Sequence, residues 1–162
     1  MTSSRPVPDE ELLRLDRQIC FSLHAASRAF GSLYRVLLKD LGLTYPQYLV
    51  MLVLWEEGEL PVKRIGARLR LDSGTLSPLL KRLQTAGLVR RARSTEDERS
   101  VSVALTDEGA ALREHALCVP LRMLDATDLT LDEIRTLRSL LGRLTDGLDA
   151  AEPADTPAAA TR

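Results

Sequence analysis

The stretch that most constrains this 162-residue chain runs from Pro61 to Thr106. Val62, Ile65 and Leu69 fall at helical spacing, and the turn Arg70-Leu71-Asp72 comes directly after them. Asp72 can cap a second helix over 73–86, whose apolar stripe is Leu76, Leu79, Leu80 and Leu83 and which Gly87 stops. Pro78 is awkward inside it, because it removes one helical hydrogen bond and can kink the helix. Leu88 to Arg93 alternates, 94–99 is a polar turn, and Ser100 to Leu105 alternates again with Val101, Val103 and Leu105 on one face. Two short helices on a tight turn, then a basic hairpin, make a winged helix-turn-helix.

The charge distribution fits that reading. The whole chain carries a net −1, yet ten Lys/Arg stand against four acids between Val62 and Thr106, so this segment is +6 and the rest −7. A basic island in an acidic chain is the footprint of a phosphate-binding face, although a solvated surface has the same composition. On the helix the DNA-facing set is Ser73, Thr75, Ser77, Pro78, Lys81 and Arg82. The small polar residues allow close approach to base edges, and Lys81 and Arg82 reach phosphates or guanines. In the wing the set is Arg91, Arg93, Asp97 and Arg99. Arg99 at the tip suits a narrow minor groove, and Asp97 can hold its guanidinium.

The remaining segments read as arms around this head. Residues 1–8 are a polar Pro-containing arm and 151–162 an Ala/Pro/Thr-rich tail, both expected to be disordered. A single helix is expected over Glu10 to Leu41, with apolar residues at Leu12, Leu15, Ile19, Leu23, Ala26, Phe30, Leu33, Leu37 and Leu41, ended by Gly42. At ~45 Å it is too long to be buried in one small domain and should pack on another subunit. Thr44, Pro46 and Gln47 form a helix start, and that helix runs to Gly58. Thr106 caps a helix over 108–117, Pro120 bends or interrupts the next segment, and Thr130 with Glu133 opens a last helix to Leu148. The expected fold is mainly α with a small β-hairpin wing. It is one domain over 9–150, with dimerisation helices at 9–57 and 107–150 and the reading head at 58–106.

Several classes are excluded. No apolar run reaches the ~20 residues of a membrane span. The start MTSSRPVPDE lacks a signal-peptide core, so a cytoplasmic protein is expected. There is no phosphate loop, His–carboxylate cluster or nucleophile elbow, so no enzyme is expected. Two cysteines are too few for structural zinc, and His24 and His115 lack zinc-finger spacing, so neither metal nor cofactor is expected.

The residues Asp72-Ser73-Gly74-Thr75-Leu76, Gly87-Leu88-Val89 and Asp97-Glu98-Arg99 to Leu105-Thr106 resemble the MarR family of winged-helix repressors, over about Leu12 to Leu148. Leu15-Asp16-Arg17-Gln18-Ile19-Cys20-Phe21, Leu43-Thr44-Tyr45-Pro46-Gln47-Tyr48 and Leu71-Asp72-Ser73-Gly74-Thr75-Leu76 are similar to its organic-hydroperoxide-sensing subgroup. The resemblance implies a homodimeric repressor of a detoxification gene on a palindromic double-stranded operator. It implies that Cys20 is the peroxide sensor, and that Tyr34 and Tyr45 of the partner subunit contact its thiolate.

Physical chemistry is compatible with that role. Only the thiolate attacks a peroxide at a useful rate, tyrosine hydroxyls can donate to it, and Ile19, Phe21 and Leu23 would favour organic peroxides. Taken alone, Cys20 reads as a small buried hydrophobe, which is what most free cysteines are, and it is the resemblance that favours the sensor. His24, one turn on, is either a thiolate partner or a surface histidine. Two-cysteine relatives form an inter-subunit disulfide, but their second cysteine lies nearer Asp125. A Cys20 sulfenic acid therefore has three open fates: a disulfide to Cys118, a disulfide to a low-molecular-weight thiol, or over-oxidation. The alternative function is a repressor released by a small aromatic or anionic ligand in a crevice beside the first helix, with Cys20 as packing.

Overall fold

The structure is a computed structural model that describes residues 9–93 and 100–151. Its order is α1 (Asp9–Leu12), α2 (Ile19–Leu37), α3 (Tyr45–Glu57), β1 (Leu60–Pro61), α4 (Val62–Leu69), α5 (Ser73–Thr85), β2 (Val89–Arg93), β3 (Val101–Leu105), α6 (Asp107–Ala116), α7 (Cys118–Thr127) and α8 (Leu131–Ala151). The mainly helical winged helix-turn-helix is present. Two compact units are resolved, up to Met123 and from Leu124 onward.

The first long helix differs from expectation. It is broken between Leu12 and Ile19, with one 3-10 turn at Leu15–Arg17, and a second such turn at Lys39–Leu41 follows α2. The cause of the first break is local. The Gln18 carboxamide donates to the carbonyls of Leu12 at 2.6 Å and Arg14 at 3.1 Å, and Gln18 itself is extended. Its hydrogen bonds take up carbonyls at the end of α1 and restart the helix at Ile19. Gly42, at φ 64°, ends the segment.

The caps behave as their residue types dictate. Thr44 N–H donates to Gln47 Oε1 at 2.9 Å in a capping box, with Pro46 in the first turn. Asp72 accepts from the Thr75 N–H at 2.9 Å, and Thr106 accepts from the Gly109 N–H at 3.0 Å. In the second unit, Thr130 and Glu133 close a box at the start of α8. Pro78 is accommodated within α5 and does not end it. Pro120 falls in the first turn of α7, and the helix break lies before it, at Leu117.

The sheet has three strands in the order β1-β3-β2, all antiparallel. The hairpin pairs Val89 with Leu105 and Arg93 with Val101, and the two-residue β1, absent from the sequence expectation, pairs Leu60 with Val103. One core joins α3, α4, α5, β2, β3 and α6 through Met51, Leu54, Ile65, Leu76, Leu80, Leu83, Val89, Val103 and Ala116. Residues 58–106 therefore share their packing with α3 and α6. Among the described residues no helix is long and apolar enough to cross a membrane.

Candidate nucleic-acid interface and thiol site

The turn between α4 and α5 is set by Arg70, whose φ of 54° makes the left-handed step that a tight helix-turn-helix needs. Leu76, Leu79, Leu80 and Leu83 are buried, which turns the opposite face of α5 outward. Ser73, Thr75, Ser77, Pro78, Lys81 and Arg82 are all exposed there or on its flanks. The Thr75 hydroxyl is already engaged, donating to Asp72 Oδ2 at 2.8 Å. Those bonds hold the Asp72 carboxyl below its usual range, backbone donation from Thr75 first and the Thr75 hydroxyl second.

Not every arginine of the basic island faces outward alone. Arg68 pairs with Glu56 at 2.9 Å and with Glu57, and Arg64 stands 3.9 Å from Glu57. These two tie α4 to the end of α3. Arg90 donates to the Leu105 carbonyl and Arg91 to Gln84 Oε1. Arg91 and Arg93 are exposed on β2, while Asp97 and Arg99 lie outside the described residues.

The head is fastened to α3 and α6 at one joint. The Trp55 indole N–H donates to the Gly109 carbonyl at 2.9 Å, and the Thr106 hydroxyl donates to the Gly87 carbonyl at 2.6 Å. A Cβ on Gly109 would collide with the backbone carbonyl of Leu88.

The thiol residues fall in two places. Cys20 is exposed in the first turn of α2, beside the exposed side chains of Ile19 and Phe21 and the half-buried Leu23. His24 is exposed. Tyr34 lies fourteen positions further along the same helix, ~21 Å at the ordinary helical rise. Its ring stacks on Tyr45 at 4.4 Å between centroids and lies 6.0 Å from Tyr48. Burial first, then Tyr45 and Tyr48, push the Tyr34 hydroxyl up to about 12. Tyr48 is raised as well, by burial first and then by Tyr45 and Cys118. Cys118 is itself exposed, its thiol directed at the His115 carbonyl at 3.4 Å. Within one protomer, then, the stacked tyrosine pair lies well along α2 from Cys20.

A two-helix reading head with a basic wing defines a winged-helix DNA-binding protein. The family described as transcriptional regulator SarA/Rot matches residues 32–115. The HTH-type transcriptional regulator TtmR of Methylorubrum extorquens is 55% identical over 146 residues, covering 90% of this chain and 75% of that one. The organic hydroperoxide resistance transcriptional regulator of Bacillus subtilis is 46% identical over 136 residues, covering 84% of this chain and 92% of that one. Among solved structures, reduced AbfR bound to DNA superposes with a TM-score of 0.70 at 38% identity, covering 86% of this chain and 96% of that one. Overoxidised AbfR bound to DNA gives 0.72 at 37% identity, covering 87% and 99%. The chain belongs to the SarA/MarR-type winged-helix family of transcriptional regulators. It is a DNA-binding regulator and not an enzyme.

Proposed function

We propose that the protein is a homodimeric, cytoplasmic repressor that releases a palindromic operator when an organic hydroperoxide oxidises Cys20. The observation that carries this reading is the stacked Tyr34–Tyr45 pair set ~21 Å along α2 from Cys20. A thiolate at Cys20 can meet that pair only across a subunit boundary. The raised Tyr34 hydroxyl keeps its proton throughout the physiological range, so it serves as a hydrogen-bond donor to an anionic sulfur. The similarity to a regulator of organic hydroperoxide resistance gives the effector class. The exposed apolar side chains of α2, among them Ile19 and Phe30, supply a surface for the second copy.

The chemistry is balanced without a cofactor. The Cys20 thiolate attacks one peroxide oxygen, an S–O bond forms as the O–O bond breaks, and the alkoxide leaves and takes up a proton as the alcohol. The Cys118 thiolate of the partner subunit then attacks the Cys20 sulfenic acid sulfur, the S–S bond forming as the S–O bond breaks, and the hydroxide expelled takes up a proton to leave as water. A low-molecular-weight thiol performs the same step where Cys118 is not within ~7 Å between Cα atoms. Either product displaces Tyr34 and Tyr45 and favours the arrangement in which the two heads no longer match successive major grooves. Arg99 in the minor groove, its guanidinium held by Asp97, completes the proposed DNA-facing set.

A second reading has one observation in its favour. A cleft of about 680 Å³ lies between α4, α5 and the wing, with Val62, Gly66, Leu71 and Leu76 at its floor and Lys63 and Arg91 beside it. Among the described residues, none lining this cleft comes from α2, so it is not the crevice expected beside the first helix; a small aromatic or anionic ligand in it would release the operator with Cys20 as bystander. Gel shifts with cumene hydroperoxide and with benzoate separate the two. Under the proposal, peroxide releases wild type and leaves Cys20→Ser bound. Release of Cys20→Ser by peroxide, or release of wild type by benzoate alone, would sink it. A covalent dimer that survives Cys118→Ser on non-reducing electrophoresis would remove Cys118 from the scheme.

A further inference from the structure

The centre of the outward face of α5 is unusual for a reading surface, because it presents almost no hydrogen-bonding groups. Opposite the buried leucines the helical period places Gly74, Pro78, Lys81 and Thr85. Gly74 has no side chain, and Pro78 offers only its ring. The Thr85 hydroxyl is turned back onto the helix, donating to the Lys81 carbonyl at 2.9 Å, which leaves its methyl group as the outer surface. Pro78, Thr85 and Ala86, together with the stems of Lys81 and Arg82, line a shallow open hollow. An apolar notch flanked by two cations cannot choose a base by its donors and acceptors. It suits an apolar group projecting from a base into the major groove between two phosphates. Among the four bases only thymine carries one, the 5-methyl.

We propose that this hollow takes the 5-methyl group of a thymine in the operator, with Lys81 and Arg82 on the flanking phosphates. Pro78 and Thr85 are then specificity-determining through contact area, and the two cations supply affinity that is blind to sequence. The inference rests on DNA binding alone and is independent of how the protein senses its effector.

The test exchanges one methyl group for hydrogen on the DNA. The full-length protein selects duplexes from a random library. In the strongest of these, each thymine is replaced in turn by uracil, which has the same pairing edge and lacks the methyl. Fluorescence anisotropy at fixed salt then gives the dissociation constants. At one or more positions uracil should weaken binding by about 4-fold, the ratio that burial of one methyl-sized group carries. Pro78→Ala, or Thr85→Ser with its hydroxyl bond intact, should lower that penalty below about 2-fold, the greater part of the methyl contact being lost. Lys81→Met, which keeps the apolar stem and removes the charge, should weaken thymine and uracil duplexes alike and keep the penalty. Indifference to uracil at every position would overturn the proposal. So would a penalty that survives unchanged in both Pro78→Ala and Thr85→Ser.

Discussion

Helices α5 and α2 sit in opposite circumstances within one protomer. In α5, Leu76, Leu80 and Leu83 are essentially without solvent contact, and the helix is capped at Asp72 and closed by Gly87 at φ 74°. In α2, no residue before Leu37 is buried, and Ile19, Phe21 and Phe30 keep 65%, 45% and 40% of their surface exposed. The recognition helix finds everything it needs in the same chain. The thiol-bearing helix does not, and large apolar side chains left in water at that density mark a surface that another molecule covers. The comparison teaches that the two helices are stabilised differently: α5 is completed by the core of its own chain, while α2 leaves large apolar side chains exposed.

The contrast can be broken most directly by truncating one apolar residue on each helix. Leu80→Ala opens a cavity in the shared core and should cost about 2–5 kcal/mol, lowering Tm by the same amount at every protein concentration. Phe30→Ala removes a side chain that lies outside the buried core and keeps 40% of its surface exposed. Its cost should appear mainly as a weaker dimer, so that its Tm deficit against wild type is largest at high protein concentration and shrinks as dilution dissociates both proteins. Thermal melts over a dilution series check both. A Phe30→Ala deficit that does not change with concentration would mean α2 is completed within the protomer, and the contrast would be lost.

Gly109→Ala sharpens the comparison at the joint. The new Cβ meets the Leu88 carbonyl, backbone against backbone, so neither partner can rotate away. The expected cost is about 1–3 kcal/mol, with the Trp55 and Thr106 hydrogen bonds disturbed together. Trp55 fluorescence should shift in the native state, and operator affinity should fall even where the protein remains folded. An unchanged Trp55 spectrum with full operator affinity would show that α6 is not fixed to the head by this contact.

The contrast also explains which features were legible in the chain. Caps and stripes belong to local sequence, so Thr44, Asp72, Thr106 and Thr130 marked real helix starts and the leucines of α5 marked its buried face. The break before Ile19 was hidden because apolar spacing continues through Leu12, Leu15 and Ile19 while a side chain, Gln18, competes for the carbonyls. The strand β1 was hidden because two residues including a proline carry no pattern, and only pairing with β3 defines them. At the interface, Thr75 read as a small polar group for close approach to base edges, yet its hydroxyl is spent on the cap of α5 at Asp72. The Tyr34–Tyr45 pair came from family resemblance alone. No spacing rule connects positions on two helices joined by a turn whose geometry depends on Gly42.

The smallest effect tests whether Tyr34 is as enclosed as its neighbours require. Its hydroxyl is raised from 10.0 to about 12 by burial and by the adjacent tyrosines. A raised folded-state value means the folded protein keeps a proton that the unfolded chain releases. The resulting stability is therefore complete below pH 10 and is lost as pH climbs from 10 towards 12. Tyr34→Phe removes that proton from both states. The variant should show a shallower decline of stability across this window, and its tyrosinate absorbance should lack the component that appears at highest pH. If wild type and variant decline in parallel, Tyr34 is solvated in the working protein, and the stacked pair is too wet to hold an anionic sulfur. If the slope separates only where the dimer is populated, the enclosure belongs to the assembled state, which is where a sensor built on two subunits would need it.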